Sequence, residues 1–210
     1  MNRPVLVLAS GSPRRRQLLE MLGLTVDVKP PHIPEIRAPD EPPQPYVERL
    51  AREKAASVKG DLVLGADTTV VIGGDMLEKP ADAEDALRML RRLQGRTHHV
   101  ITAIALKTPS GMLGATDITA VSFRTADDDL LRAYVATGEP MDKAGAYGIQ
   151  GYGAALVDSI QGDFFSVMGL PLRLVLELLE QAGHPYRFGR ERAGDGSRRE
   201  QSGAGGSGPG

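Results

Sequence analysis

The sequence predicts an α/β protein built on a mixed sheet, and three features lead there. Apolar runs of strand length alternate along the chain with stretches whose apolar residues recur at helical spacing. A strand, a tight loop and a helix follow one another directly near the N-terminus. Two later pairs of strand-like segments are separated by short turns, at Gly73-Gly74 and at Pro109-Ser110-Gly111, which makes each pair antiparallel neighbours.

Val5 to Ala9 is apolar and enters Ser10-Gly11-Ser12-Pro13, where Ser12 is placed to cap a helix with Pro13 at its first position, running to Leu22. Thr25 to Lys29 reads as a second strand. Pro30 to Pro45 is too polar and too rich in proline for regular structure, and ordered loops of that length are often functional. A helix is expected from about Tyr46 to Val58, then the strand Leu62 to Ile72 and the glycine turn. Asp82 caps the next helix, which has an acidic first turn, Leu87, Leu90 and Leu93 at helical spacing, and Gly95 at its end. Thr97 to Leu106 and Met112 to Phe123 are long strands, and Thr125 with Asp128 makes a capping box for a helix through Val135. The glycine-rich Lys143 to Gly153 precedes a strand, Ala154 to Ile160, and Pro171 to Ala182 is a last helix with Leu172, Val175, Leu176 and Leu179 apolar. Residues 1–188 are expected to form one domain. Residues 189–210 are mostly Gly, Ser, Arg and Glu, a composition that cannot offset its own ordering entropy and predicts a disordered tail.

Composition narrows the function. The 210 residues hold 25 Lys and Arg against 27 Asp and Glu, so no broad basic footprint exists for nucleic acid or an anionic membrane. A small anion needs only a local cluster of cations, which a balanced total can hide. The absence of cysteine excludes disulfides, thiolate metal sites and cysteine nucleophiles, so any metal sits on oxygen or histidine. The short apolar run precedes a basic stretch, the reverse of a secretory signal, and no segment reaches the roughly 20 apolar residues of a membrane span. A cytoplasmic protein is expected.

Five local patterns invite chemistry: Glu78-Lys79-Pro80 after the hairpin is one, and the other four each stand beside a plainer reading. Ser10-Gly11-Ser12-Pro13-Arg14-Arg15-Arg16 sets hydroxyls and guanidinium groups at a helix N-terminus, where phosphate is a natural guest; an ordinary capped helix with a solvated basic turn is the alternative. Lys54 shares a face with Val47, Leu50, Ala51 and Val58, so it points toward a pocket or snorkels past the core edge. Asp67 interrupts a buried apolar strand, and a buried carboxylate needs a partner or a metal, or else a turn whose amides bind it. Asp142-Lys143-Ala144-Gly145-Ala146-Tyr147-Gly148-Ile149-Gln150-Gly151 has enough glycine for close backbone approach or a flexible connector, and its interleaved Tyr147 and Ile149 favour order. The histidines make no ligand pattern, since His98 and His99 face opposite ways in a strand.

Taken in order, SGSPRR, LAREKA at Leu50 to Ala55, LGADT at Leu64 to Thr68, EKP at Glu78 to Pro80, DKAGAYGIQG at Asp142 to Gly151 and GLPL at Gly169 to Leu172 resemble the Maf family of nucleotide pyrophosphatases. The resemblance spans residue 4 to about residue 185. It implies an inosine-triphosphatase-like fold: a long curved mixed sheet flanked by helices, with two lobes around a cleft. It also implies cleavage of a nucleoside triphosphate between the α and β phosphates with a divalent cation, magnesium or else manganese, and admits a homodimer.

By the same resemblance Asp67 is the proton acceptor that activates water and, with Glu35, a metal ligand. Ser10, Arg15, Lys54, Lys79 and Lys143 would hold the phosphates. Arg14, Thr68 and Gln150 match the specificity positions of members acting on dTTP and UTP; the alternatives are 7-methyl-GTP or another modified nucleotide, and a nucleotide-binding regulator of septum formation. Of the acid pair usual in the loop after the second strand, His32-Ile33-Pro34-Glu35 keeps only Glu35. Asp67 and Thr68 are adjacent, so a shared pocket is expected only at a strand end or a bulge.

Overall fold

A computed structural model describes residues 5–188 of the protein, and the tail expected from residue 189 lies outside them. The strands are β1 (Leu6–Ala9), β2 (Val26–Val28), β3 (Val63–Ile72), β4 (Asp75–Leu77), β5 (Thr97–Thr108), β6 (Gly111–Phe123) and β7 (Val157–Gln161). They form one seven-stranded sheet in the order β2-β1-β3-β5-β6-β7, with β4 folded back on β3. β1 pairs parallel with β2 and with β3, and the other pairings are antiparallel, so the sheet is mixed as the sequence predicts. The helices are α1 (Pro13–Met21), α2 (Pro43–Ser57), α3 (Ala83–Leu93), α4 (Asp128–Ala136), α5 (Phe164–Val167) and α6 (Leu172–Gln181). Among the described residues no helix is long and apolar enough to cross a membrane.

Strand alternation divides the core. Ile101, Ala103 and Ala105 of β5 project to the face covered by α2, where Tyr46, Val47, Leu50, Ala51 and Ala55 meet them. Ala66 and Val70 of β3, with Val100 and Ile104 of β5, project to the other face, beneath Leu18 of α1, Leu90 of α3 and Val175 of α6. The α2 helix lies almost on the sheet because Gly65 has no side chain: a Cβ there would stand 2.2 Å from the Ala51 carbonyl oxygen and 2.7 Å from the Ala55 nitrogen.

Several local expectations are revised. The α2 helix begins at Pro43, three residues early, because its first-turn N–H groups have no intrahelical partner and prolines at 43 and 45 forfeit nothing. Ser12 makes no side-chain cap to α1; its own N–H instead donates to Ser10 Oγ at 3.2 Å. The α4 cap is Asp127, which accepts from the Leu130 N–H at 2.8 Å in place of the Thr125 and Asp128 box. Residues 151–156 coil into a 3-10 turn, so β7 starts only at Val157. The Gly73-Gly74 hairpin forms as expected, with φ of 60° and 87°. His98 and His99 do face opposite ways: His98 is fully buried and His99 exposed.

Candidate active site

A gap in the sheet creates the site. β1 stays beside β3 only to the Ala9 and Gly65 pair, and β4 joins the same edge at Val70, so Ala66 to Thr69 have no strand neighbour on that side. A cavity of about 620 Å³ opens there, and its walls include Ser10, Arg14, Arg15, Glu35, Lys54, Asp67, Thr68, Lys79, Lys143 and Gln150. The ten residues to which the family resemblance gives a catalytic, phosphate-binding, specificity or metal role therefore border one space.

The gap also resolves how Asp67 and Thr68 share a pocket. They sit mid-strand in regular register, opposite Ala103 and Thr102, so the expectation of a strand end or bulge fails. An unpaired strand edge is reached from both faces of a sheet, and the cavity wraps around it.

On the α2 face, Lys54 is 5% exposed and Asp67 7%. Lys54 Nζ donates to Asp67 Oδ1 at 2.7 Å and pairs with Glu35 Oε1 at 2.8 Å. One ammonium thus joins a buried carboxylate to a half-exposed one carried by the proline-rich loop. Burial pushes the Asp67 carboxyl above the ordinary aspartate range, while the Lys54 and Arg15 charges oppose the rise. Tyr46 ties the loop down through its hydroxyl, which donates to the Glu35 carbonyl at 3.2 Å. Burial and the nearby Glu78, Asp67 and Glu35 carboxylates push that phenol up to about 12.

On the other face Arg15 is spent largely on the protein. Its Nε donates to the Gly169 carbonyl at 2.8 Å, Nη1 to the Ala66 carbonyl at 2.8 Å and to Ser10 Oγ at 3.1 Å, and Nη2 to Thr68 Oγ1 at 3.1 Å. The guanidinium takes the place of the missing strand by bonding the Ala66 carbonyl, and it keeps one N–H free of these contacts. A further consequence concerns Thr68. Thr102 Oγ1 donates to the Ser166 carbonyl at 2.8 Å, which uses its only proton. The 3.0 Å contact between Thr68 and Thr102 must then be donated by Thr68, leaving Thr68 Oγ1 able only to accept from a ligand.

The glycine-rich segment closes the cavity. Lys143 Nζ donates to the Glu139 carbonyl at 2.5 Å and to Asp142 Oδ1 at 2.6 Å, and Arg14 Nη1 pairs with Asp142 Oδ2 at 3.0 Å. Lys79 and Gln150 are exposed, and neither side chain has a hydrogen-bond or ion-pair partner among the described residues. Tyr147 is buried against His98, whose Nε2 lies 2.8 Å from its hydroxyl. Tyr46, Thr102, Glu139 and Asp142 also shape the site, and none of them has a role assigned from the sequence. Only Asp142 carried a signal, as the first residue of the glycine-rich motif.

Among the described residues no cluster of three or more His, Cys, Asp or Glu side chains is arranged to hold a metal. Two carboxylates, Glu35 and Asp67, do converge on one cation, the Lys54 ammonium. Hard oxygen donors in that number suit magnesium, which commonly takes one or two carboxylates and completes its shell with water and substrate phosphate.

The mixed sheet is interrupted at an edge, and Arg14, Arg15, Lys54, Lys79 and Lys143 line the same cavity as the buried Asp67 carboxylate. Residues 5–182 match the family model described as Maf-like protein, and the chain belongs to that family. It is 51% identical over 191 residues to a dTTP/UTP pyrophosphatase of Anaeromyxobacter dehalogenans strain 2CP-1, an alignment covering 89% of this chain and 98% of the relative. It is 54% identical over 179 residues to a dTTP/UTP pyrophosphatase of Escherichia coli strain 536, covering 83% and 91% respectively.

Proposed function

We propose that this protein hydrolyses dTTP, UTP and related pyrimidine nucleotides to the monophosphate and pyrophosphate. The observation that carries the reading is the buried Lys54 and Asp67 pair opening onto a cavity rimmed by Arg14, Lys79 and Lys143. A triphosphate demands several cations, and an attacking water demands a nearby carboxylate. Both are met in one space, and the relatives' names agree with it.

In this reading Asp67 accepts the proton of the attacking water, and its raised pKa makes it a better base than an ordinary aspartate. Lys54 keeps Asp67 oriented and contributes positive charge as the phosphoanhydride breaks. Ser10, the remaining Arg15 N–H, Lys79 and Lys143 bind phosphate oxygens. Glu35 and Asp67 would hold the divalent cation, magnesium or manganese, which supplies charge neutralisation to the triphosphate when bound. Arg14, Thr68 and Gln150 select the base. Thr68 offers an acceptor, which suits the N3–H of uracil and thymine, and the Gln150 amide offers both a donor and an acceptor to the carbonyl-lined edge.

The test is to incubate the purified protein with UTP or dTTP and magnesium and to identify the anion released. Pyrophosphate is expected, and stoichiometric orthophosphate rejects the reaction. A substrate panel ranking 7-methyl-GTP above UTP would reassign the base, and tight binding with no turnover under any metal would make the protein a nucleotide-responsive regulator instead.

A further inference from the structure

We propose that Glu139 is a positioning residue for base selection: its carboxylate holds the loop that presents Gln150 to the cavity. This rests on the reading of the site as a pyrimidine pocket and extends it to a residue outside the cavity wall.

Three donors converge on Glu139. Its Oε1 accepts from the Tyr134 hydroxyl at 2.9 Å and from the Gly153 N–H at 2.9 Å, and its Oε2 accepts from the Tyr152 N–H at 2.9 Å. The Tyr134 hydroxyl in turn accepts from the Gly148 N–H at 3.1 Å. Backbone amides on both sides of Gln150 are thereby tied to one carboxylate, directly at 152 and 153 and through Tyr134 at 148. No cationic side chain pairs with that carboxylate among the described residues, since the Lys143 ammonium bonds the Glu139 carbonyl and Asp142 Oδ1 instead. Its charge is spent on the loop backbone. Desolvation works against the ionised form, and the Gly153 and Tyr152 N–H groups, with the Tyr134 hydroxyl and the nearby Lys143 charge, overcome it, leaving the carboxyl below the ordinary glutamate range.

The glycines show how tightly the loop is drawn in. Gly151 has φ of +72°, and a Cβ there would stand 2.4 Å from Glu139 Oε2. A Cβ on Gly153 would stand 2.2 Å from the Gly148 carbonyl and 2.7 Å from the Tyr134 hydroxyl. Gln150 lies between these points, and its side chain has no bonding partner among the described residues. Its aim is therefore set by the backbone that Glu139 fixes.

A carboxamide cannot substitute. Glutamine would supply one acceptor oxygen to three donors and turn an NH2 group toward the Tyr152 N–H. Glu139→Gln is expected to lower the kcat/KM ratio of UTP over GTP about tenfold, chiefly by raising KM for UTP, with kcat changing less than about threefold. The amides of 152 and 153 should lose hydrogen-exchange protection. Tyr134→Phe, a milder change, is expected to move the ratio the same way by about threefold. In a Gln150→Ala background, Glu139→Gln should alter the ratio no further.

An unchanged ratio in either folded variant overturns the proposal. So does a kcat loss equal for all nucleotides, or additivity with Gln150→Ala. If the wild-type protein itself turns over UTP no faster than GTP, the pyrimidine reading falls; hydrogen exchange at 152 and 153 then still decides whether Glu139 holds the loop.

Discussion

Asp67 and Thr68 are consecutive in an unbroken strand, point to opposite faces of the sheet, and border the same cavity. On the function proposed above, chemistry and selection fall on different faces, and substitutions behind each should separate them.

Behind Asp67 the expected effects are catalytic. Asp67→Asn should reduce pyrophosphate release about 10²- to 10⁴-fold, the usual worth of a positioned general base. A release rate within a factor of a few of wild type would remove Asp67 from that role.

The same carboxyl makes a prediction about pH. Burial raises its pKa, so the acidic limb of kcat/KM should lie above the ordinary aspartate range and should be missing from Asp67→Asn. The sign for stability is opposite. An acid whose folded pKa is raised binds more protons folded than unfolded, so its contribution is present at low pH and is lost as pH rises through the folded value. Thermal melts across that range, compared with the rate profile, check both.

Behind Thr68 the expected effect is on selection. Thr102→Val removes the acceptor for the Thr68 proton and frees that hydroxyl to donate. Cytosine, which presents a bare N3 where uracil has N3–H, should gain relative to UTP by about tenfold, the worth of one hydrogen-bonded pair. Side-by-side kinetics with CTP and UTP measure this, and an unchanged ratio would show that the hydroxyl's direction does not matter to the base.

Gly65 controls the approach of α2. Gly65→Ala would drive a methyl group into the Ala51 carbonyl, lifting the helix that carries Lys54 away from Asp67. A loss of several kcal/mol of stability is expected, of the order seen for overpacking, together with most of the activity. Denaturant melts and the pyrophosphate assay test the coupling; a stable, active variant would mean the helix approach is soft.

His98 adds a separate acid sensitivity. Burial, with a smaller effect from His99, lowers its pKa from 6.5 to about 4. The unfolded chain then binds a proton that the native protein refuses, so stability should fall by up to about 3 kcal/mol as pH drops between those values. His98→Gln should flatten that slope, and melts between pH 4 and pH 7, all about one unit apart, would show it.

Much of this was readable in the residues. Asp67 and Lys54 each break an apolar pattern, and a broken pattern in a buried element needs a partner; here each partners the other. The α2 boundary was not readable, because proline is tolerated only where N–H groups are orphaned, and that depends on where the helix begins. The α4 cap fell to Asp127 over Thr125 by a shift of register that local sequence does not distinguish. Glu139 gave no signal at all: a glutamate in a turn looks solvated until the backbone amides thirteen and fourteen positions on fold back to it. The 3-10 turn at 151–156 contains both of those amides.

The break in β-pairing beside Ala66 has a cost for anyone seeking a sturdier molecule. Extending β1 past Ala9 would complete the ladder, and the added hydrogen bonds should raise the melting temperature. The extension would also seal the space that Arg15 now borders. Robustness and turnover here compete for the same few ångströms of strand edge, so selection for one is expected to trade away the other.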